Sequence, residues 1–320
     1  MKVGILGCGG IARVMAGTIA KMKDVENYAI ASRSKEKAEA FAKEFGVTKA
    51  YGSYEAMLSD GEVELVYIAV PHSHHHQWTL AALQAGKHVL CEKAFAVNEA
   101  QTREMIEMSE KTGLLLTEAI WTRYMPSRRL ITEVMESGVI GRPLTISANL
   151  GYRIDMNERI VRPELAGGAL LDLTVYPLNF ASMVWGDDID KYHANCILTD
   201  TGVDGQETVM LAYRDGRMAS LYTTIYALTD RRGVIVGTDG FIEVENINNP
   251  QEIRVYSPDR NGPEVKERIV VPEQITGYEY EVLSCMKAIE AGAIECPEMP
   301  HSQTIQMMCQ MDRIKEVMGL

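Results

Sequence analysis

The stretch that decides the fold is VGILGCGGIA, residues 3–12. Its apolar start, Val3–Leu6, is typical of a buried strand, and it leads directly into the pattern G-x-G-x-x-A. In such a pattern the first glycine permits a tight turn, the second lets a pyrophosphate approach the backbone, and the final alanine keeps the next helix close. The N–H groups that open this helix favour a bound phosphate. We therefore expect a dinucleotide site at Gly7, Cys8, Gly9, Gly10, Ile11 and Ala12.

Strand and helix patterns alternate through the first 120 residues. Short apolar runs at 28–32, 65–70, 88–91 and 114–117 are typical of buried strands, and amphipathic stretches separate them. Such alternation predicts a parallel sheet with helices on both faces, which right-handed crossovers make doubly wound. We therefore expect residues 1–120 to form an α/β dinucleotide-binding domain with a Rossmann-type sheet.

The pattern changes after about residue 120. Longer alternating runs, such as 144–152, 208–213 and 218–226, are joined by short turns, which is typical of antiparallel strands. A helix is predicted at Ala169–Trp185, and the C-terminal tail is predicted to be helical again. We expect residues 121–320 to form a second domain of the α+β class, with a large, mostly antiparallel sheet that contributes the substrate site.

Composition excludes several classes of partner. The formal net charge is −12 and is spread along the chain, so the sequence offers no basic stripe for a nucleic acid. No apolar run reaches the ~18 residues that a membrane span needs. The six cysteines lack the regular spacing of a disulfide framework, which predicts free thiols in a reducing compartment. We expect a cytoplasmic enzyme with a small-molecule substrate.

The end of the second strand favours NADP over NAD. An NAD site usually places a carboxylate there to accept a hydrogen bond from the ribose 2′-hydroxyl. This chain has Ser32, Arg33 and Ser34 instead, with Lys37 one turn later. A guanidinium and hydroxyls can bind a 2′-phosphate that a carboxylate would repel. The alternative interpretation is that Arg33 and Lys37 are a solvated surface pair.

A candidate catalytic group follows the strand predicted at residues 88–91. Lys93 stands at its carboxyl end, and in open parallel sheets that edge borders the ligand crevice. Asp172 and Tyr176 are spaced i, i+4 on the predicted helix, so both project from one face. A nearby ammonium favours the phenolate form of a tyrosine, which makes Lys93 and Tyr176 a plausible base assembly. The alternatives are a surface lysine and a half-buried core tyrosine.

Three longer stretches carry a family resemblance. They read AGKHVLCEK at 85–93, EAIWTRY at 118–124, and RPELAGGALLDLTVYP at 162–177. With them the chain resembles the Gfo/Idh/MocA oxidoreductase family over essentially its whole length. Within that family it is most similar to the group of dimeric dihydrodiol dehydrogenases and NADP-dependent D-xylose dehydrogenases.

The resemblance implies roles for individual residues. Lys93 would be the catalytic lysine of an E-K-P motif, Tyr176 the acid/base, and Asp172 a residue that positions substrate or cofactor. It also implies 2′-phosphate contacts from the basic pair after the second strand, and a homodimer formed through the exposed face of the C-terminal sheet. We expect Trp121 and Tyr152 to provide apolar walls for a ring-shaped substrate. Further expected cofactor contacts are Glu92, Trp121 and Arg123.

The chain departs from the family pattern at three positions. Ala94 replaces the proline after Glu-Lys, whose peptide bond is commonly cis in the family, so either the turn is trans or Lys93 is placed differently. Thr174 stands where a glycine is usual, and Ala166 replaces another glycine. No acid/base group is lost, but these changes affect the expected efficiency and substrate fit.

The histidine-rich run at residues 72–76 suggests a metal site, but successive imidazoles diverge around a helix start, so we expect no metal. The resemblance aligns a P-N-x-x-H segment with this run and implies that His72 and His75 border the cofactor.

Three functions remain open at this stage. The first is hydride transfer between NADP and a secondary alcohol or lactol carbon of a sugar, cyclic polyol or dihydrodiol. The second is an NAD-dependent glycoside hydrolase on a similar fold, and the third is a nucleotide-sensing protein without turnover. The retention of Lys93, Asp172 and Tyr176 favours the first.

Overall fold

The computed structural model describes residues 1–259 and 262–320. The chain forms two compact units, one of residues 1–124 and 274–308 and the other of residues 125–273 and 309–320. The predicted domain boundary was residue 120, and the chain first passes from one unit to the other after residue 124. The prediction gave all of 121–320 to the second domain, whereas residues 274–308 pack with the first unit.

The first unit is built on a six-stranded parallel sheet with the order β3-β2-β1-β4-β5-β6. β1 and β4 are central and consist almost entirely of buried residues, which is expected when helices cover both faces of a parallel sheet. The order reverses at β1, and such a switch point opens a crevice at the carboxyl ends of the strands. The strands are β1 (Lys2–Leu6), β2 (Glu26–Ala31), β3 (Lys49–Tyr51), β4 (Leu65–Ile68), β5 (His88–Glu92) and β6 (Leu116–Ala119).

The second unit contains an eight-stranded sheet with the order β14-β13-β12-β11-β7-β10-β9-β8. Only β7 and β10 pair in parallel, and the other neighbours are antiparallel. The predicted fold class is confirmed in both sheets. The strands are β7 (Pro143–Gly151), β8 (Ile189–Leu198), β9 (Asp204–Tyr213), β10 (Met218–Thr224), β11 (Gly233–Gly237), β12 (Phe241–Val244), β13 (Glu252–Asp259) and β14 (Gly262–Val270).

The α-helices of the described residues number ten, and the last of them is shared between the two units at residues 308 and 309. They are α1 (Gly10–Ile19), α2 (Lys35–Phe45), α3 (Tyr54–Leu58), α4 (His75–Gln84), α5 (Glu99–Thr112), α6 (Pro126–Glu136), α7 (Glu158–Val161), α8 (Val175–Trp185), α9 (Glu279–Glu290) and α10 (His301–Met318). α2 shows why such segments form: Ser34 accepts a hydrogen bond from the Lys37 amide, and Gly46 closes the helix in the left-handed conformation.

One predicted helix differs from its sequence-based description. The segment predicted as regular from Ala169 to Trp185 begins with a π-helical turn, Leu170–Thr174, and becomes α-helical only at Val175. π-helical turns are rare and often occur at functional sites. The turn contains Asp172, and Tyr176 lies in the first turn of α8.

Candidate active site

The glycine-rich turn has the backbone geometry that a phosphate site needs. Gly7 has φ +111°, and a Cβ there would lie 2.4 Å from the carbonyl oxygen of Ala69, so no other residue fits this close approach. Gly9 and Gly10 are exposed, and a Cβ added to either would meet no atom within 4 Å. Gly9 caps α1 without a side-chain hydrogen bond. The turn therefore offers the open N–H groups of a helix start to an anion, and its residues fit a dinucleotide pyrophosphate.

The basic residues after β2 lie beside this turn. The Cys8 thiol, whose pKa burial raises, also interacts with the Ser32 hydroxyl and with the charge of Lys37. Arg33 and Lys37 are exposed, and neither side chain forms an ion pair with any residue in 1–259 or 262–320. Two uncompensated cations and a buried serine hydroxyl next to the glycine turn fit a bound anion.

Lys93 follows β5 directly, at the carboxyl edge of the parallel sheet. The Lys93–Ala94 peptide is cis, so the first of the two alternatives, a trans turn, is excluded. His75 lies beneath this turn, with Nδ1 2.9 Å from the Ala94 carbonyl oxygen and Nε2 2.9 Å from that of Val70. The imidazole is 1% exposed, so it links the segment after β4 to the segment after β5. This contact gives His75 a structural role beside its predicted one toward the cofactor, and neighbouring His72 is also buried.

A group of buried acids surrounds Lys93, and the sequence analysis did not identify most of it. Glu92 accepts hydrogen bonds from the Tyr67 hydroxyl and from the Lys93 amide. Glu118 is fully buried at the end of β6. Burial raises the pKa of Glu118 to about 7, although the charge of buried Arg123 opposes the shift, as does that of Lys93 more weakly.

Glu281, on α9, is a second acid that the sequence did not reveal. It is fully buried, and burial together with the charge of Glu92 raises its pKa well above the usual range. On the same unit Trp121 stacks on Tyr278 with ring centroids 4.1 Å apart. The first unit thus brings together the predicted Glu92, Lys93, Trp121 and Arg123. The only sequence signal for Glu118 was its position in the stretch EAIWTRY.

In the second unit Asp172 is held by an arginine that the sequence analysis did not select. Arg159 Nη1 lies 2.9 Å from Asp172 Oδ1, and the aspartate side chain is nearly buried. Tyr176 is 8% exposed at the start of α8. Tyr152 follows β7 and is half-buried, and its hydroxyl accepts a hydrogen bond from Asn248 Nδ2 at 3.1 Å.

Thr174, which stands where the family usually has a glycine, belongs to a buried polar network. Its hydroxyl donates to Glu207 and lies 2.6 Å from the Thr223 hydroxyl. Burial and the charge of neighbouring Asp204 raise the pKa of Glu207 well above its usual range. Asp204 in turn accepts a hydrogen bond of 2.6 Å from the Leu170 amide. The departure is therefore accommodated by a partner that ties the π-helical turn to the sheet.

This contact also locates the predicted residues of the second unit. Thr223 pairs with Leu150 in the parallel β7–β10 register, so Thr174 lies near the carboxyl ends of both strands. Tyr152 emerges from the end of β7, and Thr174 stands midway between Asp172 and Tyr176 in the chain. Thr174, which is close in the chain to Asp172 and Tyr176, and Tyr152 therefore lie near the carboxyl ends of the same two strands.

No three histidine, cysteine, aspartate or glutamate side chains in residues 1–259 and 262–320 are grouped as metal ligands. Among these residues no helix has the length and apolar character needed to cross a membrane.

Comparison with known proteins covers the whole chain. Residues 1–120 match an oxidoreductase family with an NAD-binding Rossmann fold, and residues 129–243 match the GFO/IDH/MocA C-terminal domain. A trans-1,2-dihydrobenzene-1,2-diol dehydrogenase of Mus musculus is 32% identical over 333 residues, covering 100% of this chain and 97% of the relative. The protein of that name from Xenopus laevis is 33% identical over 331 residues, covering 100% and 98%.

A solved structure extends the similarity to three dimensions. KijD10, a 3-ketoreductase from Actinomadura kijaniata in complex with NADP and TDP-benzene, has a TM-score of 0.90 and 25% identity, covering 99% of this chain and 98% of its own. The predicted family and the predicted enzyme class are both confirmed by these relatives, which are named dehydrogenases and ketoreductases. The chain belongs to the Gfo/Idh/MocA family of oxidoreductases, with an NAD(P)-binding Rossmann domain and the C-terminal domain typical of that family.

Proposed function

We propose that the protein is an NADP-dependent oxidoreductase that transfers hydride between the nicotinamide and a secondary alcohol or lactol carbon of a sugar, cyclic polyol or dihydrodiol. The observation that carries the proposal is the position of Lys93. It follows β5 at the carboxyl edge of the same parallel sheet whose first turn is the glycine-rich anion site. An ammonium at that edge suits a reacting oxygen, because the crevice of such sheets opens there.

The preference for NADP rests on the uncompensated charges of Arg33 and Lys37. A guanidinium pairs with phosphate in a bidentate way, and an ammonium adds a point charge. The described residues place no carboxylate partner on either cation, so a 2′-phosphate would not have to displace one. KijD10, which is similar over its full length, is described in complex with NADP.

In this proposal the bound nicotinamide supplies the hydride acceptor or donor. Tyr176 takes the hydroxyl proton of the substrate onto its phenolate oxygen during oxidation and returns it during reduction. The ammonium of Lys93 stabilises negative charge on the reacting oxygen. Asp172, fixed by Arg159, positions the substrate hydroxyls. Trp121 and Tyr152 are proposed as the apolar walls for a ring.

The proposal is tested by incubating the purified protein with NADP⁺ and a panel of pentoses, hexoses, inositols and cyclic diols. NADPH absorbance should rise with at least one of them. Lys93→Met and Tyr176→Phe should each lower kcat by about 100-fold or more, as removal of an acid–base group does, while NADP still binds. Full activity in both variants would refute these roles. Glycoside cleavage without net reduction would instead indicate a hydrolase, and NADP binding without any turnover a sensor.

We also propose that the protein is a homodimer formed through its second sheet. Met210, Met218 and Tyr222 are 44–50% exposed, and they alternate with buried residues along β9 and β10. Large apolar side chains on an open sheet face are typical of a surface that another molecule covers. A second copy of the chain presents the same face and can pair with it by two-fold symmetry.

A further inference from the structure

An arginine near the proposed substrate edge lacks a charge partner. Arg231 lies between β10 and β11, immediately before Arg232. Its side chain makes no ion pair with any described residue, and its Nε is buried without a hydrogen-bond partner. Arg232 differs, because it lies 3.2 Å from Asp230 and 2.9 Å from Glu243. A buried guanidinium nitrogen without a partner carries an unfavourable desolvation cost that a bound anion would relieve.

The backbone holds Arg231 in one place. Its φ of +59° is a left-handed conformation that residues other than glycine rarely adopt. The Arg231 amide donates to Asn149 Oδ1 at 3.0 Å, and the Arg231 carbonyl accepts from the Ile247 amide at 2.8 Å. Asn149 is itself fixed by a hydrogen bond of 2.6 Å to Asp230. The direction in which the side chain leaves the backbone is therefore set by the fold.

The Arg231 guanidinium lies near Tyr152, which we propose contacts the substrate. Arg231 Cζ lies 5.7 Å from the centre of the Tyr152 ring, within cation–π range. Tyr152 follows β7, and the carboxyl end of this strand also lies near Thr174. In the sequence, Thr174 stands between Asp172 and Tyr176. A ring-shaped substrate on Tyr152 would therefore present its substituents to the unpaired donors of Arg231.

We propose that Arg231 and Tyr152 form a subsite for an oxyanion, so that the substrate is a sugar or polyol carrying a carboxylate or a phosphate away from the oxidised carbon. This inference rests on the proposed function and specifies its substrate class. Carboxylate and phosphate share the chemistry that an arginine fork recognises, namely two adjacent oxygens with negative charge. The reacting carbon stays with Tyr176, and Arg231 acts on affinity and orientation only.

The test compares rings that differ only in charge. D-Glucuronate and D-glucose 6-phosphate are each measured against D-glucose with NADP⁺, and NADPH formation gives kcat/KM. In the native protein at least one anionic ring should exceed the neutral ring by tenfold or more. The anionic ring with the higher kcat/KM shows whether the natural substrate carries a carboxylate or a phosphate. Equal kcat/KM for all three rings would overturn the proposal.

Variants assign the effect to Arg231. Arg231→Gln should lose about 10- to 100-fold in kcat/KM for the anionic ring, mainly through KM, and less than threefold for D-glucose. Arg231→Lys keeps the charge without the fork and should retain part of the preference. The matched control Arg232→Gln should keep the anionic preference, because that side chain is already paired. An unchanged preference in Arg231→Gln would overturn the proposal.

The design separates this inference from the proposed function. NADPH formation with neutral rings but without anion preference would reject the subsite and leave the oxidoreductase proposal intact. If neither these three rings nor any member of the neutral panel is oxidised, the oxidoreductase proposal fails, and titration of the NADP complex with D-glucuronate and D-glucose 6-phosphate then tests the subsite alone. Binding that Arg231→Gln abolishes would support the subsite, and absence of binding would overturn it.

Discussion

Replacing Glu118 by glutamine should stabilise the protein above neutral pH. Burial raises the pKa of this carboxyl from 4.5 to about 7, so the folded protein retains a proton that the unfolded chain has released. Between these values the folded state binds more protons, and the free energy of unfolding must fall as pH rises. Glutamine has nearly the same shape and cannot ionise. It therefore removes the cost of a buried negative charge.

The magnitude follows from the size of the shift. One pKa unit corresponds to about 1.4 kcal/mol, so a shift of about 2.5 units costs between about 3 and 4 kcal/mol once the group is ionised. Proton linkage predicts that about 2 kcal/mol of this cost develops as the pH rises from about 5.5 to about 8.5. The stability of the variant relative to the native protein should increase by that amount over this interval.

Urea unfolding monitored by tryptophan fluorescence at the two pH values measures the difference. Glu110→Gln is the matched control, because Glu110 is exposed on α5 in the same unit, and its stability difference should not change with pH. A pH-independent difference for Glu118→Gln would refute the reasoning. So would a loss of stability in this variant at the higher pH.

Three further predictions concern the cofactor, the buried network and the assembly. Arg33→Ala should weaken NADP binding by about 10- to 100-fold and NAD binding by less than threefold, measured by fluorescence titration, and equal losses would contradict the cofactor assignment. Thr174→Val should lower the free energy of unfolding by about 1–3 kcal/mol in urea unfolding, because Glu207 loses its donor, whereas Thr174→Ser should lose less. Met210→Asp should halve the mass found by sedimentation velocity without loss of NADP binding, and an unchanged mass would exclude this face as the interface.

Much of the first unit follows from local sequence. Val3–Leu6 and the glycine pattern after it predicted the first strand, the turn and the helix, because each step depends on neighbouring residues. β3, with only three residues, was not predicted, since so short a run has no readable period. The assignment of residues 274–308 to the first unit could not be predicted, because it depends on packing between distant segments.

The second unit was predictable in class but not in detail. Alternating polarity indicated antiparallel strands, yet β13 and β14 were not identified, because β14 carries exposed residues at most positions and lacks a clean alternation. The π-helical turn was also missed, since the helical period of apolar residues does not reveal where one extra residue widens the turn. The role of Thr174 in this turn depends on its hydrogen bond to Glu207, which is 33 positions away in the sequence. A local pattern therefore does not reveal it.

The acids around Lys93 show why a site is harder to predict than a fold. Glu92, Glu118 and Glu281 lie on three separate elements and are buried, and in the described residues the cations that interact with Glu118 are Arg123 and Lys93. Three ionised carboxylates would leave an uncompensated negative charge in a region of low dielectric, so at least one acid must keep its proton at neutral pH. The raised pKa values of Glu118 and Glu281 agree with this requirement.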